Sequence, residues 1–69
     1  MNLITISSDI HSGTPVFANT RVPVKNLFDY LKAGDSLEDF LLDFPSVTKE
    51  HAIKILQLAE NTLTFKDAA

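Results

Sequence analysis

Sixty-nine residues, 45% of them apolar, with a formal net charge of −3, describe one small globular domain rather than a disordered tail. The acidic balance counts against strong non-specific binding to nucleic acid, which depends on basic surfaces. With no Cys there is no disulfide, and a chain this short buries only ~60% of the surface its unfolded form exposes. Association, with itself or with another chain, is the remaining ordinary route to stability.

A Cys-free chain suits a reducing cytoplasm. Residues 1–6 show no basic segment ahead of a long apolar run, and no apolar run approaches membrane-spanning length. A cytoplasmic location is therefore expected, with no secretory leader.

Leu3–Ile6 is rich in β-branched residues and reads as a short strand. Ser7–Gly13 reads as a loop ending in a glycine turn. Pro15–Phe17 reads as a second strand, with Pro15 at its start, where a missing N–H is tolerated. Ala18-Asn19 fits a two-residue turn, because Asn adopts positive φ more readily than other non-glycine residues. Thr20–Val22 then returns as the partner strand. A hairpin alone is marginal in water, so it is expected to lie against helices or another chain.

Pro23 suits the first position of a helix. Val24, Leu27, Phe28 and Leu31 follow the i, i+3, i+4, i+7 spacing of one helical stripe, and Gly34 closes that helix. Ser36 is a good N-cap for a second helix, with Asp39 three residues on as a capping-box partner. Leu37, Phe40, Leu41 and Phe44 repeat the stripe, and Pro45 stops the helix near Asp43. Thr48 caps a third and longest helix, Lys49 to Leu63, whose stripe is Ala52, Ile55, Leu56, Ala59 and Leu63. The expected fold is mostly α: a β-hairpin region over residues 1–22, a three-helix core over 23–63 and a tail over 64–69. The short connector between the second and third helices matches a helix-turn-helix.

The stretch from Gly13 to Val24, with Pro15, Val16, Thr20, Arg21, Val22 and Pro23 at their spacings, resembles the signature of the bacterial family called domain of unknown function 433. Ala33-Gly34, Asp35–Asp39 and Phe44–Glu50 follow in the same order and spacing. The resemblance covers about Ile4 to Leu63. Asn19 stands where members usually carry Gly, and Ile10 where a Pro often follows Asp. The resemblance implies a homeodomain-like helix-turn-helix core behind a β-hairpin. It also implies an antitoxin role, since such proteins are often paired with a small PIN-like ribonuclease toxin.

Two kinds of contact residue follow. If the third helix reads DNA, its N-terminal part presents Ser46, Thr48, Lys49, His51 and Lys54 to phosphates and base edges. It has no Arg, Asn or Gln in its first two turns, so the usual bidentate readers of guanine and adenine are missing. For a protein partner the candidates are Arg21, Phe17, Tyr30 and Phe65. Arg21 is the only Arg in the chain. It is either a structural stitch, using its five donors within the hairpin, or a cation offered to phosphate or to the acid-rich site of a PIN-like toxin.

His11 and His51 have no nucleophile at a recognisable motif spacing and no Cys to share a metal with. The acids Glu38, Asp39 and Asp43 are spread around a helix. The expectation is a non-catalytic protein with no cofactor or metal, acting as an antitoxin and homo-oligomer that represses its own operator DNA. The alternatives are a DNA-binding regulator without a toxin, or an interaction module with a degenerate helix-turn-helix.

Overall fold

The computed structural model describes residues 2–64. Strands β1 (Ile4–Thr5) and β2 (Val16–Phe17) precede helices α1 (Val24–Lys32), α2 (Leu37–Asp43) and α3 (Lys49–Thr64). The fold is the mostly helical, three-helix arrangement with a short N-terminal antiparallel hairpin that the sequence predicts.

The strand pairing differs from expectation. β2 pairs with β1, Ile4 opposite Phe17 and Thr5 opposite Val16, whereas Thr20–Val22 forms no strand. That segment does return alongside β2. The Phe17 N–H donates to the Val22 carbonyl at 2.9 Å and the Val24 N–H to the Pro15 carbonyl at 3.0 Å, with one isolated bridge from Val16 to Pro23. The Thr20 hydroxyl prevents a regular ladder. It donates to the Phe17 carbonyl at 2.8 Å and accepts from the Val22 N–H at 3.0 Å, so a side chain takes the place of a backbone partner. Asn19 has φ 65°, as its place in the turn requires. The loop between the strands contains a 3-10 turn, His11–Gly13, with positive φ at all three residues.

The helix boundaries follow local chemistry. Pro23 is the N-cap of α1 rather than its first helical residue, with extended ψ of 134°. Gly34, at φ 91°, ends α1 in a Schellman motif. The Asp35 N–H reaches back to the Tyr30 carbonyl at 2.9 Å, and the Gly34 N–H to Leu31 at 3.1 Å. Ser36 and Asp39 form a reciprocal capping box on α2. The Thr48 hydroxyl accepts from the His51 N–H at 3.1 Å, which starts α3. That helix runs to Thr64, one residue beyond the predicted end.

The core is a cluster of Phe17, Leu27, Phe40, Val47, Ala52 and Ile55. Every element contributes to it or packs on it, and no polar or charged residue is buried among the described residues. Phe40 is its centre: its ring lies 5.9 Å from Phe17, 5.5 Å from Tyr30 and 5.0 Å from Phe44. Phe17 of the hairpin, Tyr30 of α1, Phe40 of α2 and Phe44 at its end thus meet in one aromatic cluster, and His51 of α3 stands edge-on to Phe17.

Candidate functional site

The N-terminal face of α3 carries the residues expected to read DNA. Ser46, Thr48 and Lys49 are exposed, but Thr48 uses its hydroxyl as the cap. Lys49 lies 3.4 Å from Glu38 of α2, and Lys54 lies 3.9 Å from Glu50 one turn back. Both cations therefore have an acid beside them, and surface pairs of this kind leave little net positive potential.

His51 is not free on this face. Its Nε2 donates to the Leu3 carbonyl at 2.8 Å, which places a proton on that nitrogen because a carbonyl can only accept. Its ring stands edge-on to Phe17, 5.2 Å between centroids. His51 fastens the N-terminal strand to α3. Beside it Asn2, Leu3, Ala18, Asn19, Thr48, Glu50 and Lys54 line an open hollow of about 240 Å³.

The partner-contact candidates separate into different roles. Phe17 is fully buried and is a core residue, not a surface one: it packs in one cluster with Leu27 of α1, Phe40 of α2 and Ala52 and Ile55 of α3. Tyr30 is half-buried, edge-on to Phe40 and Phe44, and its hydroxyl donates to Asp43 Oδ2 at 2.6 Å. It ties α1 to the end of α2. The hydrogen bond to Asp43, then burial, then the carboxylates of Asp43, Asp35 and Asp39, raise the phenol above its ordinary titration range. Phe65 lies outside the described residues.

Arg21 is exposed. Among the described residues its guanidinium makes no hydrogen bond or ion pair, while Lys25, Lys32, Lys49 and Lys54 each lie near an acid. The backbone around it is held firmly. The Arg21 carbonyl accepts from His11 Nε2 at 2.9 Å, and Thr20 and Val22 on either side are bonded to Phe17. The turn is thus stitched by the Arg21 carbonyl and His11, and the guanidinium has no partner among the described residues.

One surface was not legible as a site. Ile4, Val24, Phe28, Ile55, Leu58, Ala59, Thr62 and Leu63 line an open apolar groove of about 330 Å³ between α1 and α3. The stripe on α3 was visible in the sequence, but its second half reads as ordinary core. Only the length of α3 relative to α1 and α2 hinted that the stripe outruns the body it packs on.

These features define a small, mostly helical domain with Arg21 on a pinned turn. No helix among the described residues is long and apolar enough to cross a membrane. No group of three or more metal-capable side chains converges among them either. Residues 4–59 match the model of the family described as "Protein of unknown function (DUF433)", and the chain belongs to that family. It is also similar to "Uncharacterized protein y4eO" of Sinorhizobium fredii (strain NBRC 101917 / NGR234), at 44% identity over 48 residues. That match takes in 70% of this chain and 22% of the relative, so the chain spans about a fifth of that protein's length. No solved structure matches the chain.

Proposed function

We propose that this chain is a non-catalytic, antitoxin-type protein that binds and neutralises a PIN-like ribonuclease toxin. The observation that supports this best is Arg21: an exposed guanidinium with no partner among the described residues, on a turn whose backbone is pinned by His11 and Thr20. A cation held this way loses little further backbone freedom on binding. Its planar fork matches carboxylates in two-pronged fashion, and carboxylates are what a metal-dependent ribonuclease site presents. The partner class is taken from the family resemblance, and the exposure of Arg21 supports it as the contact residue.

The test is co-expression with a PIN-like ribonuclease encoded beside the gene, followed by a ribonuclease assay on the purified pair. Wild-type chain should suppress cleavage. Arg21→Ala should weaken suppression by about tenfold or more, as expected for an interface Arg hot spot, and Arg21→Lys should restore it in part. Full suppression by Arg21→Ala would remove Arg21 from the contact.

Repression of its own operator is the second part of the proposal, supported by the exposed Ser46 and Lys49 at the start of α3. A gel shift with upstream DNA at two salt concentrations addresses it. Phosphate contacts demand weaker binding at high salt, and Lys49→Ala with Lys54→Ala should abolish the shift while leaving ribonuclease suppression intact.

A further inference from the structure

We infer that His11 is the positioning residue for Arg21, and that the left-handed turn His11–Gly13 is shaped to hold it there. The inference rests on the reading of Arg21 as the contact residue for what that turn meets.

His11, Ser12 and Gly13 take φ of 48°, 56° and 92° in succession. Only the third is a glycine. Other L-residues enter this region at a cost, and two in a row persist there only where the surroundings over-determine them. Local bonds close the turn. The Gly13 N–H donates to the Ile10 carbonyl at 3.1 Å, and the Thr14 N–H and hydroxyl both donate to the His11 carbonyl, at 3.2 and 2.9 Å. These bonds tie the turn to its own neighbours and to nothing else in the fold.

The core does not account for the strain. No side chain of the turn is buried, and none belongs to the hydrophobic cluster. Among the described residues, its one hydrogen bond to a distant segment runs from His11 Nε2 to the Arg21 carbonyl at 2.9 Å, ten residues along the chain. The strained backbone thus bears on one place, the peptide unit that follows Arg21.

That peptide unit is held at both ends. Its oxygen, from Arg21, accepts from His11, and its N–H, from Val22, donates to the Thr20 hydroxyl at 3.0 Å. A peptide unit is planar, so bonds at both ends fix its plane and with it ψ of Arg21. That backbone angle in turn limits the rotamers open to the side chain. Thr20 is itself tied to the buried strand β2, since its N–H and hydroxyl both donate to the Phe17 carbonyl. One end of the peptide is therefore anchored through the core and the other only through His11. A guanidinium carried on a backbone fixed in this way gives up less freedom on binding. The imidazole acts on affinity, through Arg21, more than on folding.

The experiment is the ribonuclease-suppression assay on the co-expressed pair, run with His11→Ala, His11→Gln, Arg21→Ala and the double variant His11→Ala/Arg21→Ala. Circular dichroism and urea unfolding of each chain alone confirm folding. His11→Ala loses no core contact, so it should fold, and it should weaken suppression by about threefold or more. His11→Gln, whose side-chain amide can donate to the same carbonyl, should restore most of that loss. The double variant should be no weaker than Arg21→Ala alone, because His11 acts only through Arg21. Suppression unchanged in His11→Ala overturns the inference. So does a His11→Ala loss that adds in full to that of Arg21→Ala, which is the pattern of an independent contact or of general destabilisation. The chain by itself gives a second readout. Amide relaxation measured by NMR should show Arg21 and Val22 more mobile in His11→Ala than in wild type, with the amides of α2 unchanged. Equal order at both amides in the two proteins overturns the inference whatever the ribonuclease does. A wild-type chain that suppresses no ribonuclease overturns the toxin reading, and the amide measurement then decides the role of His11 alone.

Discussion

At the scale of single residues, hydrogen-bond geometry assigns roles that residue type alone leaves open. Tyr30 looks like a surface aromatic in the sequence, because it falls between Asp29 and Leu31, off the apolar stripe. Its ring reaches the core sideways, and its hydroxyl finds Asp43 on the next helix. The chain has one Tyr and no Trp, so alkaline difference spectroscopy reports this phenol alone. It should titrate above the ordinary value of 10.0, because the bond to Asp43 favours its protonated form. A raised folded value means that the stabilisation is complete below about pH 10 and is lost as pH rises through the folded value. Asp43→Asn should bring the titration back toward the ordinary range. An unchanged titration in that variant would place the cause elsewhere.

His51 teaches the same lesson on the other side of the molecule. In sequence it is an exposed residue in the first turn of a candidate reading helix. In the fold it donates to Leu3 and stacks edge-on to Phe17, a link between residues 48 positions apart that no local pattern can show. His51→Ala removes both contacts and should cost about 1–3 kcal/mol, the range for a half-buried acceptor losing its partner. Urea unfolding measures this. Amide exchange at Ala18, whose N–H donates to the same Leu3 carbonyl, should accelerate as the strand loosens.

At the scale of elements, all three helices could be placed to within a residue from stripes, caps and stop signals, because those signals are local. The capping box at Ser36, the Schellman glycine and the Pro45 stop each act within a turn of the backbone they control. The hairpin was less legible. Whether β2 pairs with the strand before it or after it depends on the Thr20 hydroxyl and on the position of α3, neither of which periodicity reveals. The two turn residues test how far local conformation decides. Gly34 sits at φ 91° with nothing near the position of an added Cβ, so Gly34→Ala meets strain without a clash. It should cost about 1 kcal/mol from the left-handed backbone alone. Asn19→Gly should change stability by less than about 0.5 kcal/mol, since relief at φ 65° and the added entropy of the unfolded chain oppose each other. Asn19→Val should be the damaging one, because a β-branched residue fits that region worst. Thermal unfolding of the three variants gives the order directly.

For the whole molecule, the small size of the core decides behaviour. A chain of this length is expected to hold roughly 3–10 kcal/mol of stability. Phe40 is fully buried and touches Phe17, Tyr30 and Phe44. Truncating it to Ala should cost about 3–5 kcal/mol, a large part of that total, so Phe40→Ala should unfold at much lower urea or not fold at room temperature. Phe40→Leu keeps most of the volume and should cost less.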